Sequence, residues 1–146
     1  MAAQLSSARI IRRATLLSLV DCRIREAGAL RIAGLHAGCV YLAGYAVECQ
    51  LKFTICWTLG WDELRATFKT HDLELLLMHS GVDARMRGNA KIVESFAKIC
   101  EIWKPDTGAL RYDDPAKYEE STSSLFMQCA LDPEVGVITW LRKMTS

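Results

Sequence analysis

The stretch Tyr41-Leu42-Ala43-Gly44-Tyr45-Ala46-Val47-Glu48-Cys49-Gln50-Leu51-Lys52 decides the fold. Nearly every position is apolar or small, and one acid and one base stand a single turn apart. The run lacks the two-residue alternation of a half-buried strand and reads as a helix apolar on all sides, which a globular protein buries at the centre of a bundle. Carried outward, the pattern predicts a helix over 30–58 that ends near Gly60. One stripe of it reads Leu35, Cys39, Leu42, Ala46, Cys49, Phe53 and Cys56, and the adjacent stripe reads Gly34, Gly38, Tyr41, Tyr45, Glu48 and Lys52. Gly34 and Gly38, one turn apart, are expected to let another backbone approach closely. His36, Glu48 and Lys52 interrupt any apolar run of membrane length.

The rest of the chain is helical by the same test. Ile10, Ala14, Leu17, Val20, Ile24 and Ala27 recur at three- and four-residue steps, which predicts a first helix over 7–27 stopped by Gly28. The segment 61–68 reads as a short helix or connector. A third helix is expected to start at His71 and close at Gly81, and a fourth to run from the cap Asn89 to about Trp103. The run 104–108 reads as an exit turn, and Asp114-Pro115 and Asp132-Pro133 as helix starts that split the remainder into 115–130 and 133–145. The expectation is a single all-α domain over 1–146, an antiparallel bundle of about five helices.

Charge is uneven. The formal net charge is +1, yet residues 1–31 hold Arg9, Arg12, Arg13, Arg23, Arg25 and Arg31 against Asp21 and Glu26 alone. A basic face of this kind can contact phosphate, although a solvated face of an amphipathic helix is the simpler explanation. The six cysteines form no Cys-x-x-Cys pair and share no spacing with histidine, so neither a metal site nor a cofactor is expected. Arg9, Arg12 and Arg13 break up any signal-peptide core, and the chain is expected to be cytoplasmic with reduced thiols.

A buried acid on a central helix needs a partner, and Lys52 stands one turn from Glu48. Either the pair fixes packing or a dimer register, or it faces a ligand. Histidine titrates near neutral pH and suits proton transfer, which makes His71 a candidate base, while Asp72 beside it suits a helix start. Arg111 and Tyr112 precede the helix start at Pro115, where a guanidinium and a helix N-terminus would favour phosphate. Asp113 and Asp114 can instead pair with that arginine. No serine sits in a strand-to-helix elbow and no glycine-rich phosphate loop occurs.

Three of these places, taken in order, resemble the HEPN domain family: the run Tyr41 to Lys52, the start His71-Asp72-Leu73, and Leu110-Arg111-Tyr112 followed by Asp113-Asp114-Pro115. The resemblance implies a helical, HEPN-like dimer tied to prokaryotic defence or toxin–antitoxin systems. It also implies a cleft built around Tyr45, Glu48, Lys52 and Tyr112. Many members cleave RNA without a metal through an Arg-x(4–6)-His motif, and others partner small nucleotidyltransferases. Here that spacing occurs at Arg31–His36 and Arg65–His71, followed by Ile32 and Ala66 where the family carries a polar residue. The expected function is therefore a module that binds RNA, a nucleotide, an antitoxin or a nucleotidyltransferase partner without a well-formed catalytic motif. The alternative is a ribonuclease using His71 with Arg65 or Arg111.

Overall fold

The structure is a computed structural model that describes residues 9–104 and 109–146, with the side chains of Ala109 and Arg111 outside the description. Helix α1 spans Arg13–Ile32 and α2 spans His36–Leu59. A 3-10 turn at Ala66–Phe68 leads to α3 (Leu73–Ser80), α4 (Asp83–Arg87) and α5 (Ala90–Ile102). The chain continues through α6 (Ala109–Tyr112), a 3-10 turn at Pro115–Lys117, α7 (Glu120–Leu131) and α8 (Val137–Met144). The described residues are all-α, and no helix among them is long and apolar enough to cross a membrane.

Helix α2 is the centre of the bundle, packed by α1, α3, α7 and α8. Its buried positions run around the whole circumference, from Val40 and Ala43 to Val47, Leu51 and Ile55. This is the burial that an all-apolar helix requires.

The first helix corrects the sequence reading. It begins six residues later than expected and runs through Gly28 to Ile32. Gly28 faces open space, so the helix bears its entropic cost of about 1 kcal/mol and continues through the good helix formers Ala29 and Leu30. The stop is Gly34, whose φ of 76° lies in the left-handed region. The Leu35 amide donates to Leu30 O at 2.8 Å and the Gly34 amide to Arg31 O at 3.0 Å, the paired bonds of a Schellman ending. Gly34 is thus a hinge between α1 and α2, which the three-residue link folds into an antiparallel hairpin. The buried stripe of α1 is Leu16, Val20 and Ala27, with Ile10 and Leu17 exposed.

The glycine of close approach is Gly44, with Gly38 meeting only the Leu30 side chain. Trp103, at the end of α5, lies flat against α2, and a Cβ at Gly44 would stand 2.1 Å from its Nε1. That nitrogen donates to Tyr41 O at 3.2 Å, which anchors the indole across the helix.

Helix α3 starts at Leu73, with Asp72 as its cap accepting from the Leu75 amide at 3.0 Å. Asn89 caps α5 as expected. Of the exit turn expected over 104–108, residues 105–108 lie outside the described residues. Arg111 and Tyr112 lie in the short helix α6 and not in a turn. Pro115 opens only a 3-10 turn, and α7 starts at Glu120. Asp132 accepts from the Glu134 and Val135 amides at 2.8 and 3.0 Å, so residues 133–136 form a turn and α8 begins at Val137.

Candidate functional site

Four of the residues singled out in the sequence meet on one side of α2. Glu48 and Lys52 are both buried, at 3% and 6% exposure, and Lys52 Nζ donates to Glu48 Oε1 at 2.6 Å. The second carboxylate oxygen, Oε2, lies 3.0 Å from His71 Nδ1. A carboxylate accepts, which assigns a hydrogen to Nδ1 and turns Nε2 away from Glu48. Two charges out of water are tolerated only with partners of this quality, and removing one partner of such a pair costs about 3–5 kcal/mol.

His71 is held from both sides. Thr70 Oγ1 accepts from the Asp72 amide at 3.2 Å, and the Asp72 cap fixes the backbone that follows. The Tyr45 ring meets the imidazole edge-on at 6.0 Å between centroids and meets Trp103 at 5.5 Å. The hydroxyls of Tyr41 and Tyr45 lie 3.3 Å apart. The His71 side chain keeps 38% of its surface exposed while Glu48 beneath it keeps 4%. A buried acid therefore orients a half-exposed imidazole, an arrangement suited to accepting a proton or hydrogen-bonding a ligand.

Cys49 borders the same cluster. Burial pushes its thiol up to about 11, the Glu48 charge adds to the rise, and Lys52 and Arg23 oppose it. It is a packing group and not a nucleophile.

The remaining sequence candidates lie elsewhere. The Arg65 guanidinium sits 4.3 Å from the centroid of the Trp61 ring, a cation–π contact, and touches none of the four among the described residues. Tyr112 is 87% exposed, and no contact with the cluster is seen for it among the described residues. The Arg111 side chain lies outside the described residues. His36 Nδ1 sits 2.8 Å from Ser123 Oγ, tying α2 to α7, and the His79 ring packs on Phe68 at 5.0 Å. Among the described residues no group of histidine, cysteine and acidic side chains is arranged to hold a metal.

Sequence reasoning missed Trp103 as the wall of this site. The available signal was Gly44, a gap between two tyrosines on an otherwise full helix. The geometry defines an all-α protein with a buried-acid, half-exposed-histidine cluster on its central helix. No family model, curated protein or solved structure matches the chain.

Proposed function

We propose that the chain is a HEPN-like helical module, acting as a homodimer in a prokaryotic defence or toxin–antitoxin system, that binds a phosphate-bearing ligand, RNA or a nucleotide, at the His71 face. The observation that carries this reading is the buried Glu48 holding Lys52 and His71 at once. It supports the ligand-facing role over a purely structural pair, because packing alone gives no reason to hold a half-exposed imidazole in one orientation. The sequence elements that resemble the family supply three of the cluster's members, Tyr45, Glu48 and Lys52, on one helix and His71 at the next.

A second reading is favoured by the Glu48–His71 contact itself: a metal-independent ribonuclease with His71 as base. An arginine would stabilise the charge that develops on phosphorus. Arg65 is engaged with Trp61, which favours the binding module over the nuclease.

The test is a fluorescence anisotropy titration of end-labelled single-stranded RNA with the purified protein in EDTA, followed by a denaturing gel of the same samples. Saturable binding that weakens with added salt and leaves the RNA intact supports the module. Intact binding capacity with cut RNA supports the nuclease. No anisotropy change up to tens of micromolar protein overturns both, and capture of a nucleotidyltransferase in its place would shift the module to a protein partner.

A further inference from the structure

A cleft of about 830 Å3 opens between the start of α1 and the middle of α2, and His71 is not among its described lining residues. Its floor is Tyr45, Glu48 and Lys52. Its walls are the aliphatic side chains of Ile11, Leu16, Leu19 and Leu42, and its rim carries Arg9, Arg12 and Arg23. The volume and the mix of apolar walls with a few convergent polar groups are those of a small-molecule site.

The charges at this cleft are unbalanced. Glu48 is the one acidic lining residue among the described residues, and both of its oxygens are already engaged by Lys52 and His71. Arg23 pairs with Glu26. Arg9 and Arg12 have no acidic partner among the described residues. Their backbone is nonetheless fixed. The Leu64 amide donates to Ile11 O at 2.8 Å, the Arg13 amide to Asp62 O at 2.8 Å, and Lys69 Nζ to Arg9 O at 2.7 Å. The segment that carries both arginines is thereby pinned to the connector between α2 and α3. Arginine stays charged at any physiological pH and binds planar anions in a forked geometry. Two such groups at the mouth of an apolar hollow match a ligand with one anionic head and an apolar body. A polynucleotide, with a charge at every residue, would leave the aliphatic walls against phosphates.

We propose that this cleft binds a small amphipathic anion, with a single phosphate, carboxylate or sulfonate head on Arg9 and Arg12 and its apolar body against Ile11, Leu16, Leu19 and Leu42. The cleft shares Tyr45, Glu48 and Lys52 with the His71 cluster but takes its arginines and aliphatic walls from residues outside that cluster, so binding of the probe is read independently of RNA binding.

The probe is 8-anilinonaphthalene-1-sulfonate, compared with N-phenyl-1-naphthylamine, which has the same apolar body and no charge. The sulfonate is expected to bind at one per chain and more tightly than the neutral amine. Arg9→Gln with Arg12→Gln is expected to weaken the sulfonate about tenfold or more while leaving the neutral amine unchanged. Leu19→Trp, which fills the cleft, is expected to abolish both, with Thr15→Trp as the second filling variant should the first fail to fold by circular dichroism. Displacement of the sulfonate by laurate assigns a lipid-like carboxylate, and displacement by AMP a nucleotide. Displacement by neither, equal binding of the neutral amine, or indifference to the arginine and filling variants would overturn the proposal.

Discussion

Oε2 of Glu48 lies 3.0 Å from Nδ1 of His71, a residue 23 positions further along the chain, while Oε1 of the same carboxylate takes the Lys52 ammonium at 2.6 Å. One buried acid therefore ties the central helix to itself one turn on and to the start of α3. Both ties depend on the charge of Glu48, and each can be removed separately.

Lys52→Met leaves Glu48 buried with only a half-exposed histidine beside it. The expected cost is about 3–5 kcal/mol, read as a lower urea midpoint with an unchanged slope. Lys52→Met combined with Glu48→Gln removes both charges and is expected to recover a large share of that loss. A double variant as unstable as the sum of the two singles would show that the pair is not an electrostatic unit.

Gly44→Ala puts a methyl group into the Trp103 indole, 2.1 Å from Nε1. Overpacking of this kind costs about 1–3 kcal/mol or more. Tryptophan fluorescence is expected to shift to the red as the indole is displaced, and Trp103→Leu is expected to suppress the effect of Gly44→Ala. An unchanged spectrum and midpoint would place Trp103 elsewhere.

Gln50 is fully buried on α2, and both polar atoms of its side-chain amide lack a partner among the described residues. A buried amide without partners carries a desolvation cost of about 1–3 kcal/mol. Gln50→Met keeps the volume and removes that cost, so a rise in thermal midpoint is expected. A fall would mean that the amide is satisfied in solution.

Two shielded thiols, the buried Cys49 and the half-buried Cys100, set an alkaline limit. Burial holds Cys49 up at about 11 and Cys100 at about 12, against about 9 for an exposed thiol. The unfolded chain therefore releases these protons before the folded one does. Stability is full below pH 9 and is lost as the pH rises from about 9 towards 11, by up to about 1.4 kcal/mol per pH unit for each such thiol. Urea unfolding at pH 8, 9 and 10 checks the sign. At pH 8 the native protein is expected to leave Cys49 unmodified by a thiol reagent that labels it after unfolding. Rapid labelling of the native protein would contradict the burial.

The body and end of the central helix were legible in the sequence because their signal is local: a nearly all-apolar run, one acid and one base at a turn's spacing, and Gly60 beyond its end; its start, expected at Leu30, falls at His36. Asn89 was legible as a helix cap for the same reason, since a cap bonds the amide three residues on; the next helix was expected at His71, with Asp72 in its first turn, whereas Asp72 is the cap and the helix starts at Leu73. Gly28 misled, because a glycine inside a helix with open space beside it and a glycine that ends one look alike in sequence. Only the left-handed backbone of Gly34 separates them. The meeting of Glu48 with His71 follows from how α3 returns to α2, and the seating of Trp103 on Gly44 from how α5 crosses it. Neither crossing is written in any local pattern. The arginines at 9 and 12 were visible as charge, but the cleft they border exists only once their segment pairs with residues 62–64.

The most direct test compares wild type, His71→Ala and Glu48→Gln in the RNA anisotropy titration, at matched folded concentration in EDTA. The wild type is expected to bind with affinity that falls as salt rises, and both variants to bind at least about tenfold more weakly. Binding equally tight in all three would contradict the account, because the Glu48-centred cluster would then take no part in holding the ligand.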